Sequence, residues 1–491
     1  MAEAGRGRVP RVLAPPSTAP AGQHTPRRLP PPHPLAARPT TPVIPKPVQP
    51  AALSAAPHLI REALPPDGLF ANQTWRIAPA PFPLSAALAG ELESLGRVLL
   101  QFYRAVNLLY RRSVEGQQPT WVAEWLDRGK PRALVELQRA PAFKQELPRV
   151  IRPDILLTDD GFCITELDSV PGGIGLTAWL NETYSRPGIH DPRFEVIGGA
   201  RGMLDGFAGI FGDAPRVRLV ISEESAVYRP EMVWLASRLG ARFTVHDARF
   251  EGFADGDAVY RFFELFDLDN VPSAGRLFEL AAAGRIRLTP PPRPLFEEKM
   301  LFALLWNRHL RPFWRQELGE GFFQRLLALV PYTWVLDPTP LPPQAAIPEL
   351  GLTDWRQLKD LSQRQRNLIL KVSGFSPRAW GARSVVLGSD VSQADWAAAV
   401  ERALADFALS PCVLQRYHKP AHVDAQWFDF ENDRVVAMQG RARLCPYYFV
   451  TGERDAARAR LGGVLATICP ADKKIIHGMA EAILAPCGVR A

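Results

Sequence analysis

The sequence predicts an α/β protein of more than one domain, preceded by an extended arm. Three observations predict it. The chain has 491 residues, too many for one compact core. Residues 217–247 read strand, helix, strand, the mark of an open α/β layer. Residues 152–168 carry two β-type runs joined by a short polar turn, with charged residues alternating along them.

The arm comes first. Residues 1–57 are rich in Pro, Ala and Arg, as in "LPPPHPLAARPTTPVIPKPVQP". Proline fixes φ and removes a backbone donor, so this stretch is expected to be disordered and extended. It reads as a passive tail, with a polyanion-binding or partner-docking arm and a targeting peptide as alternatives. The formal charge of the chain is +7, and residues 1–60 hold seven Lys/Arg against one acid, so nearly all the excess belongs to the arm. An almost neutral body without a basic helix weighs against nucleic acid as a partner. No apolar run is long enough to cross a bilayer, and no apolar signal segment opens the sequence. Five cysteines, an odd number without a C-x-x-C pair, read as reduced thiols. A cytoplasmic protein without a membrane partner is expected.

The body follows in order. Apolar positions from Leu84 to about Arg112 recur at helical spacing (Leu88, Leu92, Leu95, Leu99, Phe102, Val106, Leu109), predicting a long packed helix. "VRLVIS", "YRPEMVWLASRLG" and "RFTVHD" give strand, helix and strand, the helix closing at Gly240. "AVYRFFELFDL" (258–268) reads as a strand leading into a loop, and "TPPPRP" (289–294) as a hinge. Residues 58–290 therefore read as one region and 291–491 as a second lobe. In that lobe "EEKMLFALLWNRHL" is a predicted helix. Strands are predicted at 367–373, 383–388 and 412–418, a helix at 393–408, a hairpin over 424–444 and a C-terminal helix near 471–485.

The 152–168 segment carries the chemistry. "DILLT" and "FCITE" flank Asp159-Asp160-Gly161, the signature of a hairpin turn. With the turn centred on Asp160, Asp154 faces Glu166 and Arg152 faces Asp168, all four on one face of the hairpin; a bulge near the turn would shift that register. Carboxylates so close repel unless a cation joins them, and Mg²⁺ takes one or two carboxylates together with phosphate oxygens. "PGGIG" (171–175) follows directly, and its Gly172 and Gly173 would let backbone approach a ligand closely. An ordinary surface hairpin with an ion pair fits the same spacing.

These residues resemble a known family. Glutathionylspermidine synthases and their circularly permuted ATP-grasp relatives carry R-x-D and, twelve residues after the Asp, E-x-N or a close variant; here Arg152-Pro-Asp154 is followed at that interval by Glu166-Leu-Asp168. The resemblance covers roughly residues 65–490. It implies a circularly permuted ATP-grasp fold with a pre-ATP-grasp-like α/β region. It implies Asp154, Glu166 and Asp168 as magnesium ligands and Arg152 as the residue steadying charge at the reacting carboxyl. "EKMLFALLW" (298–306) is similar to the family's N-K-x-x-L-x-x-L-W, implying Lys299 as a phosphate-binding lysine. "LKVSG" implies Lys371 as a second ATP lysine, and "VLQRYH" implies Gln415 beside the adenine. "GRARLCPYY" implies Arg443, with Arg441 as its neighbour, at substrate or phosphate. "YRFFELFDL" implies Glu264 as a group that attracts an amine.

The resemblance therefore implies an ATP- and Mg²⁺-dependent ligase joining a carboxylate to an amine through an acyl phosphate. Three departures stand beside it. The phosphate loop "VSGFSPRAWGARS" is long and poor in glycine, and Arg378 and Arg383 are its candidate phosphate contacts. The serines that hold glutathione in the best-known members are not evident after Asp168. The N-terminal amidase domain of the bifunctional members is missing. A non-catalytic nucleotide-binding scaffold and a nucleic-acid-associated protein using its basic arm are the competing expectations.

Overall fold

A computed structural model describes residues 55–65, 75–340, 347, 349–381, 383–474, 476 and 481–490. Nearly all of the arm expected over 1–57 lies outside the described residues; its last two, Ala56 and Pro57, open a helix, Ala56–Glu62.

The expected long helix is Ala86–Val114, started by Ser85, whose hydroxyl accepts from Leu88 N at 3.2 Å. Its predicted stripe, Leu88 to Leu109, is buried against a nine-stranded sheet. That sheet runs Arg76–Ile77, Ile483–Arg490, Arg458–Pro470, Arg434–Thr451, Val150–Thr158, Gly161–Asp168 along its main path. It therefore joins the acidic hairpin to strands from the C-terminal quarter of the chain.

The predicted strand–helix–strand unit forms as Val217–Ile221, Arg229–Leu239 and Phe243–Asp247, with Gly240 at φ +92° ending the helix. It belongs to a parallel four-stranded sheet ordered Phe243–Asp247, Val217–Ile221, Ala258–Phe262, Arg287–Thr289. A second four-stranded sheet, antiparallel, is ordered Thr333–Val335, Cys412–Arg416, Leu368–Val372, Val386–Leu387. All five cysteines are buried and none forms a disulfide. Among the described residues no helix is long and apolar enough to cross a membrane.

Three expectations need correction. The helix expected to carry Lys299 starts only at Leu301, behind a 3-10 turn at Pro294–Glu297, so Lys299 sits in the non-helical link between them. The strand expected at 383–388 shrinks to Val386–Leu387. The C-terminal helix expected near 471–485 is absent where the chain is described. Ile483–Arg490 is instead a strand, pairing antiparallel with Arg458–Pro470 through contacts such as Thr467↔Leu484. Residues Ile483–Gly488 are all buried, so the strand shows no alternation, and its continuous apolar run looked helical.

Candidate active site

The hairpin forms with the expected partners: Arg152 opposite Asp168 and Asp154 opposite Glu166. The route to that register differs from the expected one. At the turn, Thr158 pairs with Gly161 around the two-residue loop Asp159-Asp160, which on its own would set Asp154 opposite Thr165. One extra residue, Thr165, bulges out of the ladder between Ile164 and Glu166 and restores the charged pairs. Its displaced carbonyl accepts a hydrogen bond from Lys371 Nζ at 3.0 Å. The bulge thus aligns the carboxylates and at the same time exposes an acceptor for a buried lysine.

Arg443 reaches this face because its strand lies beside the hairpin, Arg443 opposite Leu156. Its Nη1 donates to Asp154 Oδ2 at 3.1 Å. Arg152 bridges the other two positions. Its Nη2 lies 2.9 Å from Asp168 Oδ2, and its Nε lies 3.2 Å from Asp154 Oδ1 without the alignment of a hydrogen bond. Burial works against both cations; Asp154 and Asp168 more than offset it at Arg152, and Cys445 and Asp154 do so at Arg443, so both guanidinium pKa values are raised. Glu166 pairs with Lys299 Nζ at 2.5 Å. Each carboxylate expected to share a magnesium ion therefore holds a protein cation. Among the described residues no three His, Cys, Asp or Glu side chains form a metal-holding group.

The two lysines are strained electrostatically. Burial, reinforced by Lys371, pushes the Lys299 ammonium down to about 7, with Asp154 opposing. Burial pushes Lys371 down to about 8, with Asp154 opposing. Lys299 also donates to the Ala379 carbonyl at 2.8 Å, inside the long loop after the second lysine.

These groups line one cavity of about 310 Å³, against about 70 Å³ for the cleft beside Pro79–Pro83. A cavity of that size is in the range of small-molecule sites. Its charged lining is Arg152, Asp154, Glu166, Asp168, Lys299, Lys371 and Arg443. Its apolar lining includes Ile369, Leu387 and Leu156, and Gln415 also lines it. Gln415 is buried on a strand hydrogen-bonded from both sides. Its Nε2 donates to Thr333 Oγ1 at 3.1 Å, while its Oε1 has no partner.

Glu264 also lines the cavity, as the expectation required. Burial, then Glu297, raises its pKa well above the carboxylate range. Glu297 was missed by the sequence reading. It pairs with the buried Arg261 at 2.7 Å and accepts from Leu265 N at 3.0 Å. Lys474, also missed, reaches the cavity and pairs with Asp390 at 2.7 Å.

The remaining expected residues fare differently. Arg378 and Arg383 do not line the cavity. Arg378 lies 3.8 Å from Asp406, and Arg383 pairs with Glu224 at 2.8 Å while packing over Trp380. Arg441 donates to the Lys473 carbonyl at 3.4 Å. Gly172 does line the cavity, but its lack of a side chain serves packing: a Cβ would come 2.3 Å from the Tyr228 ring. Gly173, at φ +86°, leads into the helix Ile174–Tyr184 under the Tyr447 hydroxyl, which would stand 2.5 Å from a Cβ. The amides of Gly173 and Leu176 donate to the two carboxylate oxygens of Glu231 at 2.7 and 2.9 Å. That helix N-terminus is capped from within, by a residue of the helix Arg229–Leu239.

No protein-family model and no curated protein matches the sequence. Among solved structures the chain is similar to a glutathione synthetase-like effector from Globodera pallida in its apo form. The two are 12% identical, with a TM-score of 0.51, over 89% of this chain and 96% of that one. At that identity the likeness shows a shared mixed α/β fold. A putative gamma-glutamylcysteine synthetase from Methylobacillus flagellatus aligns at 11% identity and a TM-score of 0.36, over 79% and 88% of the two chains.

Proposed function

We propose that this chain is an ATP-dependent carboxylate–amine ligase of the circularly permuted ATP-grasp, glutathionylspermidine synthase-like kind, forming an amide through an acyl phosphate. The observation that carries the reading is one cavity lined by buried lysines and arginines facing carboxylates and by an unpartnered acceptor, Gln415 Oε1. A nucleotide fits this lining. Gln415 Oε1 would accept from the adenine amino group among Ile369, Leu387 and Leu156. Lys299 and Lys371 would hold phosphate oxygens as compact charges, and Asp154, Glu166 and Asp168 supply the hard oxygens a magnesium ion takes.

A carboxylate resists attack because its charge repels the incoming amine. Mg-ATP, when bound, supplies a phosphoryl group that makes the acid a good electrophile. The chain's own contribution is positioning and charge neutralisation. Arg152 and Arg443 hold charge at the reacting carboxyl. Glu264, a buried carboxyl beside Glu297, would meet the cation of an arriving amine. Removing a donor such as Arg152 is expected to lower turnover by about 10²–10³.

The test is calorimetry of Mg²⁺ and ATP with wild type and with Asp154→Asn/Glu166→Gln, followed by ADP release in the presence of carboxylates and amines. Magnesium-dependent binding lost in the double variant supports the reading; a folded wild type that binds no nucleotide ends it. Binding without turnover would favour a non-catalytic scaffold. Arg378 and Arg383 motivate that alternative, since neither reaches the cavity.

A further inference from the structure

Outside the cavity, the structure holds an ion pair that the chemistry above does not use. Lys130 and Glu298 meet at 2.5 Å, with side chains 0% and 2% exposed. Removing two charges from water is costly unless each is satisfied, and Glu298 is held on both oxygens. Glu298 takes Lys130 on Oε1 and accepts from Ser373 Oγ on Oε2. Ser373 Oγ in turn accepts from Met300 N at 2.9 Å, and the Ser373 carbonyl accepts from Lys299 N at 3.0 Å. Lys130 also lies 5.8 Å from the Phe375 ring centroid, and Phe375 is held at φ +44°.

The turn that delivers Lys130 is itself docked. Arg128 packs over the Phe407 ring at 4.7 Å, and a Cβ on Gly129 would strike the Leu409 carbonyl at 2.0 Å. Lys130 therefore enters from the helical layer and ties together two segments distant in sequence. One carries Glu297 and Lys299. The other follows Lys371 by two residues. Both segments present lysines that repel each other across the cavity, so their backbones need an external hold.

We propose that Lys130 is a positioning residue: its ion pair with Glu298, extended to Ser373, sets the spacing of Lys299 and Lys371. The proposal rests on the reading of those two lysines as phosphate-holding groups. Lys130 touches no substrate in this role.

Removing one partner alone leaves a buried charge unpaired, and Lys130→Met alone could simply unfold the chain. The informative variant is Lys130→Met/Glu298→Gln, which removes both charges and keeps an acceptor for Ser373. Three quantities are read: thermal midpoint, Mg-ATP affinity by calorimetry, and deuterium uptake of peptides covering 297–302 and 371–376. The expected result is a midpoint close to wild type, Mg-ATP affinity about 10- to 100-fold weaker, and faster uptake in both peptides. Wild-type affinity in the folded double variant overturns the proposal. If wild type binds no Mg-ATP, the ligase reading has failed separately and the uptake data decide. Faster exchange in both peptides then supports the clamp, and unchanged exchange overturns it.

Discussion

Glu231 gives a pH dependence that can be worked from the structure. Its carboxylate is buried and caps the helix Ile174–Tyr184 through Gly173 N and Leu176 N. Those two amides and Arg152 favour the ionised form, yet burial outweighs them and raises the group from 4.5 to about 7. The folded state therefore binds more protons than the unfolded state between 4.5 and about 7. Stability from this group is fully present below the unfolded value and is lost as pH rises through the folded one. Between pH 5 and pH 8 the loss is about 2.5 kcal/mol. Glu231→Gln cannot ionise. It leaves one of the two amides facing an NH₂ group and should be less stable by roughly 1–2 kcal/mol at acid pH. Urea unfolding of both proteins at several pH values, followed by tryptophan fluorescence (Trp179 lies on this helix), isolates the term. Wild type should lose about 2.5 kcal/mol more than the variant over that window; parallel curves would refute the assignment.

Deleting Thr165 removes the bulge while preserving every cross-strand pair of the hairpin, so it strips Lys371 of its acceptor without moving the carboxylates out of register. Mg-ATP affinity should fall about tenfold with little loss of fold, and unchanged affinity would mean that the bulge carbonyl does not matter. Gly172→Ala drives a methyl group into the Tyr228 ring and should cost about 1–3 kcal/mol in urea unfolding; a neutral result would show that the loop yields freely. Arg378→Ala should leave Mg-ATP affinity within about threefold of wild type, as expected for an exposed pair. A larger loss in calorimetry would restore the phosphate role that the sequence implied for this arginine.

What the sequence revealed of the site follows the range of the interactions involved. The pairing of Arg152 with Asp168 and Asp154 with Glu166 was legible because a hairpin is local and alternation reports one face. The Thr165 bulge was not, since no residue type marks it; two compensating offsets gave the expected pairs by a different path. Arg443 stands beside Asp154 only because a strand near the C-terminus adds to the hairpin, a pairing that no local pattern encodes. Lys130, Glu297 and Glu298 were invisible for the same reason: their partners lie at least 32 residues away. The C-terminal strand was misread because burial on both faces erases the alternation that distinguishes strand from helix.

The charges at the cavity constrain the order in which ligands could enter under the proposed function. Asp154 is held by Arg443 and Arg152, Asp168 by Arg152, and Glu166 by Lys299. A bare divalent cation would have to displace ammonium and guanidinium groups already neutralising those oxygens, and would leave them stranded in a buried site. Lys299 can let go of Glu166 only if another anion takes its place, and a phosphate oxygen is such an anion. Metal and nucleotide should therefore bind as one species. Magnesium alone should produce no heat in calorimetry at concentrations where Mg-ATP saturates, and strong binding of the bare ion would show that the carboxylates are not committed to their protein cations.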